Sequence, residues 1–447
     1  MPTLNTCLRG PTRQGWRMPF SRRWSCEKED RSEIGLMGRI GQMEKMERMA
    51  LIRHVYVHSP FCRRKCPYCD FFSVEQDEPG APLRERYFAA VAAEARLFHE
   101  EHGAGLAWPL ETLYLGGGTP SLVEPERFEA LIEALSGISA APAPAHAVPA
   151  LEFTIEVNPD SATDDRLLAL RRIGVNRFSV GVQSFSYEAL ALLGRIHSAR
   201  QGVEAVQRAR FAGCDNGAQA RVSLDLIYAI PGQSVEDWRR QIDQAIALEP
   251  DHISAYGLTY YEGTRLIERR QAGDLQPVCE EDEALMFEAA HAALTAAGYE
   301  HYEISNYARP GCACRHNQAV WRGEDYLGLG AAAHSRVAGR RWSNPADIEA
   351  YCTAIEAGRL PRQFHEEPSG GPLWRMDRLM LGLRTSEGVD LTRWPAAERK
   401  AFERDNAATV RRMVEEGLAI EEAGRLRLTL GGWLAHDAVV GALYRGQ

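Results

Sequence analysis

The sequence has no long hydrophobic run, few cysteines and no overall excess of basic residues. Its 447 residues contain no apolar stretch of about 18 residues, so no transmembrane helix is predicted. Ten cysteines are too few for a disulfide scaffold in a chain of this length. No signal-peptide hydrophobic segment is present, and we therefore predict a cytoplasmic protein.

Acidic and basic residues are unevenly distributed along the chain. Residues 1–50 carry a net charge of +4, which leaves −13 for residues 51–447 and argues against a nucleic-acid partner. The first 25 residues contain five arginines and no acid, a composition also found in organelle transit peptides, but they form no amphipathic face. We interpret residues 1–50 as a disordered extension, or as a segment that precedes a later start at Met46 or Met49.

From Arg53 onward, short β-branched or aromatic runs alternate with longer helical patterns. Strands are predicted at 54–58, 111–115, 151–157, 177–182, 221–228 and 252–258. Helices are predicted at 84–101, 125–136, 163–173, 200–212, 234–248 and 280–297. Such alternation produces parallel strands joined by right-handed crossovers, either in an open sheet or in a partial barrel.

The last 70 or so residues follow a different pattern. Helices are predicted around Met376–Leu383, at 397–416 and at 431–443, with a hairpin that turns at Ala423-Gly424. This order is typical of a winged-helix-like module. We therefore divide the chain into an α/β core at 51–285, a connecting region at 286–372 and a mainly helical C-terminal domain at 373–447.

Three cysteines stand close together directly after the first predicted strand. Cys62, Cys66 and Cys69 have the spacing Cys-x3-Cys-x2-Cys and lie at the carboxyl end of a parallel strand, where α/β proteins place their sites. Structural zinc sites and structural [4Fe–4S] clusters normally use four protein ligands. Three thiolates on one loop would leave one iron of a cluster open to another ligand.

Polar or glycine residues follow the other predicted strands at the same edge of the sheet. Glycines let the backbone approach a ligand closely, and the remaining side chains can bind polar groups. Each residue alone is weak evidence, but their repetition at successive strand ends indicates one composite site. The residues are Gly116, Gly117, Gly118, Thr119, Glu156, Gln183, Arg195 and Asp225.

The cysteine spacing, with an aromatic residue before the third cysteine, resembles the radical S-adenosylmethionine (SAM) superfamily. Residues 53–447 are similar to its coproporphyrinogen-dehydrogenase-like branch. The resemblance implies a partial (β/α)6 barrel with a helical C-terminal domain, a [4Fe–4S] cluster on Cys62, Cys66 and Cys69, and an electron donor such as flavodoxin or ferredoxin. It further implies SAM contacts from Tyr56, Gly117, Gly118, Thr119, Glu156, Gln183, Arg195 and Asp225.

Two members of this branch are possible counterparts. The oxygen-independent coproporphyrinogen III oxidases carry a further cysteine two residues after the third, where this chain has Phe71. HemW-type heme chaperones carry the "CPYCDF" form found here, and the sequence is most similar to them. We therefore expect a protein that binds heme and transfers it to an acceptor apoprotein, and we leave open whether SAM is cleaved. A tRNA-modifying enzyme would require a basic surface that the chain lacks.

The HemW-type resemblance also implies a heme-associated His-Asn-x-x-Tyr-Trp motif. His316, Asn317 and Trp321 match it, while Val320 stands in the tyrosine position. His316 is a candidate ligand for heme iron, with a structural histidine as the alternative. No Cys-x-x-Cys-His motif for covalent attachment occurs. We expect His334 to line the same cavity as His316.

Overall fold

The computed structural model of the protein describes residues 50–76, 81–102, 106–107, 109–138, 151–212, 219–365 and 370–445. The extension predicted for residues 1–50 lies outside this part of the chain, apart from Ala50. Among the described residues, no helix is long and apolar enough to cross a membrane.

Six parallel strands form the centre of the fold, and all six were predicted. They are β1 (His54–Ser59), β2 (Thr112–Gly117), β3 (Glu152–Val157), β4 (Arg177–Gln183), β5 (Arg221–Tyr228) and β6 (His252–Gly257). They lie side by side in chain order, with β6 and β1 at opposite ends of the set. Their carboxyl ends therefore meet at one edge, as the sequence analysis required.

Helices connect these strands and bury one face against the sheet. The predicted ones are α1 (Pro82–His102), α2 (Pro125–Ile138), α3 (Asp164–Arg172), α5 (Ala199–Phe211), α6 (Val235–Ala247) and α8 (Glu280–Ala296). Ser198 and Ser234 begin α5 and α6 with capping boxes, which satisfy free backbone amides. Two short helices, α4 (Tyr187–Leu192) and α7 (Arg265–Gln271), were not predicted.

The sheet extends beyond the six predicted strands on both sides. Antiparallel strands β7 (Glu300–Glu303) and β8 (Asn306–Ala308) continue it past β6, with β8 beside β6. A seventh parallel strand, β9 (Tyr326–Leu329), pairs with β1. Beyond it lie the antiparallel strands β10 (His334–Val337), β11 (Arg340–Ser343) and β12 (Gln363–His365). The order of the described strands is linear, so the described sheet does not close into a complete barrel. Strands of three or four residues give too short a pattern to predict.

Two further helices follow. Helix α9 (Arg315–Trp321) contacts β2, and α10 (Ile348–Glu356) packs against α1. The remaining elements are α11 (Gly371–Gly382), β13 (Val389–Asp390), α12 (Ala396–Glu415), β14 (Ala419–Glu422), β15 (Arg425–Leu428), α13 (Leu430–Leu434) and α14 (His436–Arg445). The turn at Ala423-Gly424 is confirmed, and the small sheet has the order β13-β15-β14.

The prediction of a single helix at 431–443 is wrong. The chain forms two helices there, α13 and α14, which are separated at Ala435. The indole of Trp433 donates to the carbonyl of Leu383 at 3.0 Å, and His436 contacts the carbonyl of Met380 at 3.2 Å. Both side chains anchor the chain to the end of α11, and the two short helices separate between them. The predicted domain boundaries near 285 and 373 stay predictions.

Candidate functional site at the carboxyl ends of the strands

The three cysteines lie on one compact loop after β1. Cys62 ends a two-residue strand, Phe61–Cys62, that pairs with Val74–Glu75 and closes the loop at its base. Within the loop, the amide of Cys69 donates to the carbonyl of Cys66 at 3.2 Å. All three thiols are half-buried and free. The loop thus presents three sulfurs at the carboxyl end of β1.

Two short helices that the sequence analysis missed, α4 and α7, lie next to this loop and support it. Pro67 packs against Gly194 after α4, where an added Cβ would lie 2.5 Å from the proline ring. The carbonyl of Pro67 also accepts from the amide of Leu266 in α7 at 2.9 Å. Tyr68 packs on a small apolar cluster that includes Leu193 and Leu266. The loop is therefore held by tertiary contacts as well as by its own turns.

Burial determines the protonation of the thiols. It raises the pKa of Cys69 to about 12, and the neighbouring Cys66 and Cys62 raise it further. Burial also raises the pKa of Cys62, again with a contribution from Cys66. The three sulfurs are thus close enough to interact electrostatically, and without a cation Cys62 and Cys69 stay protonated near neutral pH. Binding of a metal group would displace those protons.

The thiol arrangement fits a polynuclear group better than a single ion. In the described part of the chain, no three His, Cys, Asp or Glu side chains are gathered tightly enough to hold one metal ion. An iron–sulfur cluster is held by thiolates that each bind a different iron, so it suits a wider set of sulfurs. The donor chemistry of the loop is therefore compatible with a [4Fe–4S] cluster.

The glycine segment after β2 packs directly against the cysteine loop. A Cβ on Gly118 would lie 2.8 Å from the carbonyl oxygen of Phe61 and 2.9 Å from Sγ of Cys62. Gly117 has a φ of +113°, and a Cβ there would lie 2.6 Å from the ring of His58. Both positions therefore require glycine, and their amides donate to Glu156 and to the carbonyl of Ser59.

Arg195, Asn158 and Thr119 form a chain of hydrogen bonds behind the cysteine loop. Arg195 donates through Nη2 to Oδ1 of Asn158 at 2.6 Å and lies 3.6 Å from Sγ of Cys66 through Nη1. Asn158 donates through Nδ2 to Thr119 at 3.1 Å, and Thr119 lies 3.5 Å from Sγ of Cys62. The sequence analysis missed Asn158. Its signal was its place two residues after Glu156, at the end of β3.

Glu156 and Tyr56 stabilise the surroundings of the glycine segment through hydrogen bonds. Glu156 accepts from the amide of Gly117 and from the hydroxyl of Tyr114, both at 3.0 Å. The hydroxyl of Tyr56 lies 3.1 Å from Nδ1 of His58. Burial raises the pKa of Glu156, and the nearby Asp225 adds to the rise. These contacts give Glu156 a role in shaping the backbone of the glycine segment.

Gln183 is the last residue of β4, whereas Asp225 lies within the neighbouring strand β5 and not at its predicted place at the strand end. Gln183 has a φ of +65° next to an irregularity in the pairing of β4, and its Nε2 lies over Gly181, near Arg195. Asp225 accepts from serine hydroxyls on three strands, Ser179 at 3.0 Å, Ser223 at 3.2 Å and Ser254 at 2.7 Å. Burial raises the pKa of Asp225, although these hydrogen bonds oppose the rise.

His316 lies near the amino ends of the strands, away from the cysteine loop. Its ring is fully buried, with its centroid 5.2 Å from that of Tyr114. Nδ1 lies 2.8 Å from the hydroxyl of Thr112 at the start of β2, and no described residue forms a hydrogen bond with Nε2. Burial lowers the pKa of His316 to about 3, so the imidazole is neutral. The buried Glu152 holds this end of α9 by accepting from the amides of Arg315 and His316.

Asn317 and Trp321 follow His316 on α9. Both are half-buried, and Oδ1 of Asn317 and Nε1 of Trp321 also lack hydrogen-bond partners among the described residues. The guanidinium of Arg384 lies 4.5 Å from the centroid of the Trp321 ring. The three motif residues therefore lie on one short helix.

His334 does not share this location, contrary to our expectation. Burial lowers the pKa of His58 to about 4, and His334 contributes to the lowering, which places it near the carboxyl end of β1. Its ring packs against His365, with centroids 5.8 Å apart. The antiparallel turn after β9 carries His334 to the end of the barrel opposite His316, and the sequence pattern did not reveal that turn.

Comparisons with known proteins agree with this geometry. The Radical SAM superfamily model matches residues 56–245, and the HemN C-terminal domain model matches residues 376–435. The heme chaperone HemW of Mycobacterium tuberculosis is 34% identical over 391 residues, which cover 87% of this chain and 94% of that protein. The heme chaperone HemW of Bacillus subtilis is 30% identical, over 88% of this chain and 99% of that protein.

A solved structure shows the same fold. It is that of coproporphyrinogen III oxidase (HemN) from Escherichia coli, described as a radical SAM enzyme. The TM-score is 0.71 at 21% identity, over 89% of this chain and 91% of that one. At this identity the likeness concerns the fold alone, whereas the HemW relatives match nearly end to end at 30% identity or more. The chain therefore belongs to the radical SAM superfamily and, within it, to the family of the heme chaperone HemW.

Proposed function

We propose that the protein is a heme chaperone that carries a [4Fe–4S] cluster with SAM and transfers heme to an acceptor apoprotein. The observation that carries this proposal is the near full-length similarity to proteins named heme chaperone HemW, in two distantly related bacteria. Phe71 supports it, because the oxidases that the sequence otherwise resembles carry a cysteine at that position.

Cys62, Cys66 and Cys69 would hold the cluster, because they are three interacting thiols on one supported loop. The cluster, when bound, supplies an open iron for SAM and one electron. The basic side chains Arg63 and Arg64 on the same loop would favour an acidic electron donor such as flavodoxin or ferredoxin.

Several of this chain's own residues would orient SAM. The hydrogen-bond acceptors of Arg195 are the neutral amide of Asn158, the carbonyl of Gly181 and the thiol of Cys66. None of them is a carboxylate, which leaves the charge of Arg195 available for the methionine carboxylate. The backbone of Gly117 and Gly118 would approach the methionine amino group. The remaining contacts would come from Tyr56, Thr119, Glu156, Gln183 and Asp225.

For heme, we propose the segment of His316, Asn317 and Trp321. A neutral imidazole is a suitable iron ligand when Nδ1 is fixed, here by Thr112, and when Nε2 has no partner among the described residues. Because the ring is fully buried, heme can reach Nε2 only when α9 moves away from the strand ends. That movement would break the hydrogen bonds from Arg315 and His316 to Glu152.

Anaerobically reconstituted protein tests the proposal in two parallel assays. One follows the Soret band during titration with heme, and the other adds coproporphyrinogen III, a reductant and SAM and measures protoporphyrinogen. Stoichiometric heme uptake without decarboxylation is the expected result. Decarboxylation without heme uptake would show instead that the protein is an oxidase and that Phe71 does not prevent that reaction.

A further inference from the structure

A groove runs along helix α12 in the C-terminal part of the chain. Its volume is about 330 Å³, and it is bounded by one stripe of α12 and by Glu421 on strand β14. The stripe extends from Phe402 to Val414, over which an α-helix rises about 18 Å. At about 3.3 Å per residue, an extended chain of five or six residues has the same length.

Asn406 lies in the middle of this stripe and is fully buried. Neither Oδ1 nor Nδ2 of its side chain has a hydrogen-bond partner within the part of the chain that the structure describes. Buried polar groups are normally paired, because an unpaired amide loses its hydrogen bonds to water. A carboxamide offers an acceptor and donors side by side, which match the N–H and C=O of a peptide group. The side chain is therefore suited to a ligand that supplies a backbone amide. Because the residue is fully buried, such a ligand reaches it only when neighbouring side chains of the groove move aside.

Strand β14 forms the other wall and is an edge strand. Among the described strands it pairs with β15 alone, and no other described strand covers the backbone groups on its outer side. Glu421 is opposite the buried Leu426 in the register, so its side chain lies on the face that α12 covers. A further strand added beside β14 would therefore lie along the α12 stripe.

The rest of the groove suits a peptide with one apolar side chain and polar flanks. Phe402 and Val410 are buried in its floor, while Val414 is 41% exposed. Arg411 and Glu421 border the groove and form no ion pair with another described residue. Exposed apolar surface between two unpaired charges of opposite sign is typical of a binding site with a polar rim.

We propose that the groove between α12 and β14 binds an extended peptide segment of the heme-acceptor apoprotein. The segment adds to the sheet as a fourth strand, and Asn406 pairs with one of its peptide groups. The choice of the acceptor as the source of the peptide rests on the proposed function. The capacity of the groove to bind an extended peptide is independent of the proposed function, and it is measured without heme.

The test uses the full-length, heme-free protein and a phage-displayed library of random peptides of about twelve residues, twice the length that the groove holds. Enriched peptides are synthesised and titrated by fluorescence anisotropy. Val414→Arg, which fills the groove with a charged side chain, is expected to weaken binding by about tenfold or more. Leu373→Arg is the matched control, because Leu373 is 56% exposed on α11 and does not line the groove.

Asn406→Leu examines the amide itself. Removing an unpaired buried amide is expected to raise the melting temperature, while the affinity for the peptide falls by about tenfold. Hydrogen exchange adds a structural readout, since the bound peptide should protect the amides of residues 419–422. If peptides bind Val414→Arg or Asn406→Leu as tightly as the parent protein, or if none is enriched, the inference is wrong.

Two further outcomes separate this inference from related ideas. Self-association that Val414→Arg abolishes in sedimentation experiments would mean that a second copy of the chain occupies the groove, and would overturn the choice of a foreign peptide. Heme uptake without groove-specific peptide binding overturns this inference alone. Groove-specific peptide binding without heme uptake overturns only the proposed function.

Discussion

The side chains of Arg195 and Asn158 are joined by a short hydrogen bond, with 2.6 Å between Nη2 and Oδ1. The same guanidinium donates to the carbonyl of Gly181 at 3.1 Å and lies 3.6 Å from Sγ of Cys66. Residues at the ends of β3 and β4 thus aim a positive charge at the cysteine loop. None of the three hydrogen-bond acceptors is a carboxylate, so the arrangement leaves that charge for a ligand.

We expect Asn158→Ala to weaken SAM binding by about tenfold, because hydrogen bonds to charged groups contribute about 1.5–3 kcal/mol. The change removes the acceptor of Arg195 and the donor to Thr119. Calorimetric titration of cluster-loaded protein with SAM measures the effect. Asn176→Ala is the control, because Asn176 also forms two hydrogen bonds, but with the backbone of Leu151 and Phe153 at the amino end of β3. Equal losses in both variants would contradict a specific role.

Gly118→Ala is expected to disturb the cluster site. Its Cβ would lie 2.8 Å from the Phe61 carbonyl oxygen and 2.9 Å from Sγ of Cys62, so the loop must move. We predict less iron per chain after reconstitution and a lower melting temperature. Gly441→Ala is the matched control, because no atom lies within 4 Å of its Cβ and it belongs to α14. That control is expected to gain up to about 1 kcal/mol, since alanine favours the helix over glycine.

Cys66→Ala is expected to abolish cluster binding, because two thiolates of the loop then remain for four irons. Iron content and the visible absorption of the reconstituted protein measure the loss. Cys312→Ala serves as the control, since Cys312 is a half-buried free thiol outside the loop. A Cys66→Ala protein that keeps its full iron content would show that the cluster is held elsewhere.

The sequence predicted those parts of the site that depend on residues close together along the chain. The cysteine spacing is a local pattern, and the six parallel strands have patterns long enough to place Glu156 near the end of β3 and Asp225 within β5. The bond between Asn158 and Arg195 joins residues 37 positions apart, and the paired strands β3 and β4 together with the unpredicted helix α4 bring them together. In the same way, the separation of His316 from His334 depends on the unpredicted strand β9 and on the turn that follows it.

The buried carboxyl of Glu94 is expected to make stability depend on pH. Burial raises its pKa to about 7, although Tyr351, Asn344 and the amide of Gly330 donate hydrogen bonds to it. In the unfolded chain the pKa of this carboxyl is 4.5, so the folded state binds the proton more tightly. The stabilisation that protonated Glu94 provides is therefore complete below pH 4.5 and is lost as the pH rises through about 7. The expected loss is about 3 kcal/mol in the free energy of unfolding.

Glu94→Gln isolates this effect, because its side chain cannot ionise. Denaturant titrations of the parent and the variant between about pH 5 and pH 8 are compared as differences, so that groups common to both, such as His58, cancel. We expect the parent to lose stability relative to the variant as the pH rises. A constant difference over this range would mean that the carboxyl of Glu94 already ionises at its ordinary pKa.

Substitutions of two histidines locate the heme. His316→Ala removes a neutral imidazole whose Nε2 has no partner in the described structure. We expect heme affinity to fall by about tenfold or more, with loss of the histidine-ligated Soret band. His334→Ala is the matched control at the opposite end of the barrel and is expected to leave the spectrum unchanged. Melting temperatures of the heme-free variants show whether His316→Ala still folds. If His334→Ala alone weakens binding, heme lies beside the cysteine loop and α9 has a structural role only.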